Sequence, residues 1–350
     1  MRNNIPKTLE KRIKSQKDGI SLFEYINYCL YDEKDGYYSN LFKVSKDFVT
    51  SPEISQLFGE CVTIFFLYAK NIFEKKKKSK IQSVVEFGPG NGTLMSDVIR
   101  TLDKKYCLNE WSFFLIEISK LLKRKQKDVL FKYKKKTNIF WKKNINKSFN
   151  NCCFYLCNEF FDAFPFNQFS SKGMKRIIIK QNKLIPVFVP TSNCHKPINS
   201  NEIIESSLFM KKFVFKIFKK IKKNGGIFLL IDYGPLIKKN TDTIQAIHNN
   251  LKCNFLDHPG RSDITHHIDF VLLKKIAKRF GLRVYGPVNQ SKFLSIFGIN
   301  ERTENLINKS NNLKQKEKIE NDFLRLTSYN QMGELYKCII FSDVDLNLPF

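Results

Sequence analysis

From Ile81 onward, short apolar runs alternate with helical stretches, an order that few architectures accept. Ile81–Phe87 is a β run ending in glycines, after which Thr93, Leu94, Val98, Ile99 and Leu102 share one helical face. A second run covers Trp111–Ile118, and a Lys-rich helix follows to about Leu130. Asn138–Trp141, Cys152–Cys157 and Gly226–Asp232 supply a third, fourth and fifth strand. Strands separated by helices predict an α/β fold, a parallel sheet with helices on both faces. Leu282–Asn289 and Tyr336–Ser342 add two closing strands. Helices are expected over about 203–222, before the Gly225–Gly226 stop, and over Asp269–Phe280. Thr265 or Asp263 would cap the second, and Gly281 suits the left-handed position beyond its end.

The 350 residues allow about two domains. Residues 1–80 read as a helical N-terminal cap, with helices over Ile20–Leu30 and Ile54–Phe73 and a loop at Asp32–Ser51 between them. The Lys75–Lys80 run is the expected boundary, and residues 81–350 form the core. Two segments interrupt it as insertions: 166–201 is strand-like and Pro-containing, and 300–322 is polar and Asn/Lys-rich.

With 42% hydrophobic and 14% aromatic residues, wholesale disorder is excluded. No uncharged apolar run reaches the roughly 18–20 residues of a membrane span. The best candidate, Val62–Phe73, contains Lys70 and reads as a buried amphipathic helix. The net charge of +27 invites a nucleic-acid partner. Lys, Asn, Ile and Phe are all abundant, however, and share A/T-rich codons; coding bias accounts for the excess, and the runs Lys75–Lys78 and Lys132–Lys136 read as solvated loops. The nine cysteines include no C-x-x-C pair, which suits reduced, buried thiols. Cys194–His195 with Cys152, Cys153 and Cys157 has the wrong spacing for a metal site, so none is expected. The N-terminus lacks an apolar h-region and carries Glu10 and Asp18, so neither a secretory signal nor a mitochondrial presequence is expected.

Three segments carry chemistry. Val84–Leu94 places Gly88, Gly90 and Gly92 where a strand gives way to a helix. Glycines there permit a tight turn and close approach of backbone to ligand. The spacing G-x-G-x-G, with Thr93 next, is not the dinucleotide fingerprint, and no Gly-Lys-Ser/Thr is present for a nucleotide triphosphate. The turn suits a ligand without phosphates, S-adenosylmethionine, with Glu86 meeting the ammonium of its amino-acid tail. Glu117 ends the second strand, 25 residues beyond Gly92, where a carboxylate can accept from ribose hydroxyls. No acidic residue follows the third strand to meet an adenine amino group. After the fourth strand comes Asn158-Glu159-Phe160-Phe161-Asp162-Ala163-Phe164-Pro165, at the crevice where strand order should reverse.

These segments occur among others: Ser21–Tyr25, Leu30–Asp32, Gly36–Ser39, Asp47–Glu60, Asp232–Gly234, Asp263–Thr265 with Asp269–Phe270, and Met332–Lys337. In this order they resemble the MidA-like family of S-adenosylmethionine-dependent methyltransferases, whose mitochondrial members are protein arginine methyltransferases needed for respiratory complex I assembly. The likeness runs from about Gly19 to Ser342. It implies a class I methyltransferase Rossmann-like sheet, mostly parallel with an antiparallel C-terminal hairpin, plus the N-terminal cap and an insertion after strand 4. It also implies methyl transfer to arginine in a protein partner such as a complex I subunit. Glu159 and Asp162 would then bind the guanidinium as catalytic residues, with Asn158 close to the cofactor tail. His266 and His267, near a helix start, are assigned no role. Val44-Ser45-Lys46 departs from the family, which usually has a glycine there. The reading favours a bacterial cytoplasmic protein, with the mitochondrial matrix as the alternative, and includes a homodimer as an option. An RNA or small-molecule acceptor, or a non-catalytic assembly factor, are the competing functions.

Overall fold

A computed structural model describes residues 5–39, 49–145, 151–191, 199 and 201–350. The chain divides into two compact units. One comprises Val49–Phe160, Phe215–Ile237 and Ile268–Phe350, the other Met1–Phe48, Phe161–Val214 and Lys238–His267.

The first unit holds a seven-stranded sheet. Its strands are numbered β1 (Ser83–Phe87), β2 (Ser112–Ile116), β3 (Asn138–Lys142), β4 (Cys153–Asn158), β5 (Gly226–Tyr233), β6 (Arg283–Asn289) and β7 (Tyr336–Ser342). The spatial order is β6-β7-β5-β4-β1-β2-β3. Strands β1 to β5 pair in parallel, and β7 lies antiparallel to both β5 and β6. Every residue of β1, β4, β5 and β7 is buried, because both faces of the sheet are covered. That is why they read as largely apolar runs rather than alternating ones, with polar residues such as Glu86, Asn158 and Asp232 near their carboxyl ends. Strand β3 is the edge, and its exposure alternates. The chain steps outward through β2 and β3 and returns to β4 on the other side of β1, so strand order reverses between β1 and β4 as expected.

The helix Gln56–Lys77 belongs to this unit, although composition grouped it with the cap. It packs on the helix Thr93–Leu102 so closely at Gly59 that a Cβ there would stand 2.5 Å from Cβ of Asp97. Glu60 on the same helix accepts from Arg100 Nη1 at 2.7 Å and from Arg302. The Lys run is its basic last turn, placed at the negative end of the helix dipole, and ends at left-handed Lys78. Lys70, which set the limit of the apolar run, pairs with Glu74 at 2.7 Å.

The second unit joins parts that the sequence kept apart. Helices Lys7–Lys14 and Leu22–Tyr31 share a core with the insertion and with residues 238–267: Leu9, Leu22, Tyr25 and Ile26 cluster with Phe166 and Ile177 of the first and Ala246 and Ile264 of the second. The two-residue strand Ile20–Ser21 pairs with Gly173–Lys180, Ile20 opposite Ile177. Two residues cannot display a period, so this pairing is invisible in sequence. Ser21 also starts the second helix through a capping box with Glu24, a signal legible in Ser-Leu-Phe-Glu. Residues 238–267, not expected as an excursion, contribute the small sheet Gln245–His248, Leu251–Cys253 and Asp263–Thr265.

Several boundaries move. Helix 203–222 is Leu208–Asn224, preceded by the strand Ile204–Ser206. The helix expected from Asp269 is Phe270–Arg279, and its cap is Asp269, whose carboxylate accepts from Leu272 N at 2.8 Å; Thr265 and Asp263 lie in a strand instead. The excursion at 300–322 is the helix pair Ile299–Lys309 and Leu313–Thr327. Val44–Lys46 and Cys194–His195 fall outside the described residues. None of the eight described cysteines is in a disulfide. Among the described residues no helix is long and apolar enough to cross a membrane.

Candidate active site

Strand β1 leads straight into the glycine turn. Gly88 N donates to Ile116 O at 3.1 Å, tying the turn to the end of β2. Gly88 is left-handed, with φ +59°, and a Cβ on it would stand 2.4 Å from the Phe160 ring. Gly90, also left-handed at φ +50°, differs: a Cβ there would meet nothing within 4 Å. Its open side is where a ligand can lie against backbone. Gly92 begins the helix Thr93–Leu102 with no side-chain cap.

Two carboxylates flank this turn. Glu86 in β1 is 3% exposed, and its Oε2 has no hydrogen-bond partner among the described residues. Burial, and secondarily the Glu117 charge, push its carboxyl up to about 8. Such a buried orphan acceptor is costly unless a ligand satisfies it. Glu117 follows β2; its Oε1 accepts from Ser119 N at 2.7 Å and its Oε2 from Gln126 Nε2 at 3.2 Å. Burial raises its carboxyl above the ordinary range, against those donors.

Gln126 is the residue that sequence reasoning missed. It is fully buried, donates to Gly90 O at 2.8 Å as well as to Glu117, and accepts from Trp141 Nε1 at 3.1 Å. One amide thus locks the glycine turn, the β2 carboxylate and the edge strand together. A signal was available: Leu122, Gln126 and Leu130 repeat every four residues on the buried face of an otherwise basic helix, Lys120–Leu130.

At the end of β4 the chain turns through Glu159 in a left-handed conformation, φ +48°. Glu159 N donates to Ile231 O at 2.9 Å, and Phe160 N to Asp232 Oδ2 at 3.2 Å, so β5 holds the turn. The Glu159 carboxylate accepts from Ser51 N at 2.9 Å and Asn158 Nδ2 at 3.1 Å on Oε1, and from Tyr336 OH at 3.2 Å on Oε2. Burial raises its pKa, opposed by these donors. Asn158 Oδ1 is a second buried acceptor with no partner among the described residues. Thr93 donates to Glu53 at 2.5 Å, joining the segment that bears Ser51 to the helix after the glycine turn.

The sheet unit therefore gathers Glu86, Gly88, Gly90, Gly92, Glu117, Asn158 and Glu159 at the carboxyl ends of β1, β2 and β4. Asp162 belongs to the second unit, where it is buried and its carbonyl accepts from His266 N at 3.0 Å. His266 sits in the same unit with its ring nitrogens 3.0 and 3.2 Å from the carbonyls of His267 and Phe164, and burial pushes its pKa down to about 4.

Residues 67–288 match a family model described as S-adenosyl-L-methionine-dependent methyltransferase. Among curated proteins, the chain is 30% identical to the Caenorhabditis elegans protein arginine methyltransferase NDUFAF7 homolog, mitochondrial, over 95% of this chain and 84% of that one. It is 28% identical to the human protein arginine methyltransferase NDUFAF7, mitochondrial, over 91% of this chain and 78% of that one. Its fold matches a COG1565 superfamily member from Burkholderia thailandensis, solved bound to S-adenosyl-homocysteine, with a TM-score of 0.83 at 21% identity, covering 97% of this chain and 92% of that one.

Proposed function

Because the chain belongs to the family of S-adenosyl-L-methionine-dependent methyltransferases, we propose that it methylates an arginine nitrogen of a protein partner. The observation that carries the cofactor assignment is a matched pair of gaps. Glu86 Oε2 is a buried acceptor lacking a donor, and Gly90 presents open space beside backbone. An ammonium would satisfy the first, and an adenosyl group would have room against the second. Glu117, oriented by Ser119 and Gln126, keeps acceptor directions for ribose hydroxyls. When bound, S-adenosylmethionine supplies a methyl activated by the sulfonium charge.

The work of this chain is positional. Transfer is an in-line displacement, and holding nucleophile and methyl at about 3–3.5 Å can remove several kcal/mol of barrier. Glu159 stands at the end of β4, beside the point where strand order reverses. A guanidinium is planar and permanently charged, so a carboxylate is its natural partner. Glu159 would orient one nitrogen and disperse the positive charge, with Asn158 Oδ1 toward the cofactor tail. Asp162 is proposed as a second carboxylate on its position in the motif.

The relatives, named as mitochondrial protein arginine methyltransferases, support arginine as the acceptor and favour mitochondria over the bacterial cytoplasm. A complex I subunit is the partner implied by the family resemblance. The test is mass spectrometry of methylarginine in proteins from cells with and without the gene, and with Glu159→Gln in its place. Sites lost in both the knockout and the variant support the assignment. Unchanged methylation with Glu159→Gln refutes the role of Glu159, and methyl appearing in RNA instead refutes the acceptor.

A further inference from the structure

We infer that Tyr336 is a positioning residue for methyl transfer, its hydroxyl holding Glu159 as a charged carboxylate at the end of β4. The inference rests on the reading that Glu159 meets the acceptor, and adds a residue that reading did not contain. Three segments far apart in the chain converge on one carboxylate: Ser51, Asn158 and Tyr336, the last 177 residues away. Tyr336 begins β7, the strand antiparallel to β5, and is 2% exposed. Its ring meets Tyr233 edge-on, with centroids 5.7 Å apart, which fixes the hydroxyl over the β4 turn.

A carboxylate offers about four acceptor directions. Ser51 N and Asn158 Nδ2 take both on Oε1, and Tyr336 takes one on Oε2. The Ser51 side chain adds a further interaction that favours the charged carboxylate. The Tyr336 hydroxyl opposes the effect of burial on the charge. Burial raises the Glu159 pKa, and donation from Ser51, Asn158 and Tyr336 pulls it back. Removing the hydroxyl would weaken that opposition, so a larger fraction of the enzyme would carry a neutral Glu159 unable to hold a cation.

Tyr336→Phe tests this, since it keeps the ring that packs on Tyr233. In protein labelled with carboxyl-carbon-13 glutamate, the Glu159 resonance is identified by its loss in Glu159→Gln. We expect its midpoint to rise by about one pH unit in Tyr336→Phe, the difference between a charged and a neutral hydrogen bond. With an arginine-bearing peptide as probe, the acid limb of kcat/KM should move upward by the same amount, while the affinity for S-adenosylmethionine stays within twofold. An unmoved carboxyl midpoint overturns the inference, as does an unmoved acid limb. Normal transfer by Glu159→Gln would instead refute the acceptor role of Glu159, whatever the resonance shows, so the two failures are distinguishable.

Discussion

Replacing Glu86 by glutamine should remove a proton that the protein otherwise expels when S-adenosylmethionine binds. Burial, then the neighbouring charge of Glu117, raise the Glu86 carboxyl to about 8. At pH 7 roughly nine in ten molecules therefore carry a neutral Glu86. An ammonium facing Oε2 favours the carboxylate, so binding must be accompanied by release of about 0.9 proton at that pH. The apparent Kd should fall about 30-fold between pH 5.5 and 7, close to tenfold per unit. Above about 7.7 the α-amino group of the ligand begins to lose its own proton, and affinity should level off and then decline. Calorimetry in two buffers of different ionisation enthalpy measures both quantities. Glu86→Gln should bind more weakly at pH 7, with a flat profile below pH 7 and no proton release. A wild-type affinity independent of pH, or a slope shared by both proteins, would refute the reasoning. The same group shapes the stability of the ligand-free protein. The unfolded chain releases this proton near 4.3 and the native protein near 8, so the unfolded state binds fewer protons between those values. Stability should accordingly fall as pH rises from about 4.3 to 8, by on the order of 3–5 kcal/mol. Glu86→Gln should abolish that component of the slope in urea titrations.

Other outcomes follow from neighbouring contacts. Gly90→Val forces a branched side chain into a left-handed position and into the open cradle; S-adenosylmethionine binding should vanish in calorimetry, while the far-ultraviolet dichroism remains native. Gln126→Leu strips a donor from both Glu117 and Gly90 and an acceptor from Trp141, and should weaken cofactor binding about 5- to 30-fold, or about 1–2 kcal/mol, by equilibrium dialysis. Glu159→Gln should leave cofactor affinity within twofold but cut transfer to an arginine peptide at least 100-fold, about 2.7 kcal/mol of barrier, in a radiolabelled-methyl assay. Glu60→Ala leaves Arg100 and Arg302 without their shared carboxylate and should cost about 2–4 kcal/mol in chemical denaturation.

How far these residues could be found without coordinates depends on what each one reports. Gly88, Gly90 and Gly92 announce themselves because only glycine takes these backbone angles cheaply, and Glu117 and Glu159 because they sit at strand ends that apolar runs define. Ser51 and Tyr336 stood in recognisable motifs, yet nothing in either motif says that both donate to Glu159. Gln126 was masked by the lysines around it, which dominate composition but face solvent. Asp162, paired with Glu159 by sequence proximity, lies in the other compact unit.

Local order, in short, was written in the amino acids: strand runs, the alternation that makes a sheet parallel, the capping box at Ser21 and the glycine turn all express interactions within a few residues of one another. What only folding decided is partnership across long separations. The pairing of Ile20 with Ile177, the shared core of the N-terminal helices and the segment after β4, and the grip of Ser51 and Tyr336 on the Glu159 carboxylate each depend on loop closure over more than a hundred residues. Such closures leave no periodic trace in the chain, because the burial that repays their entropy exists only once both partners are in place.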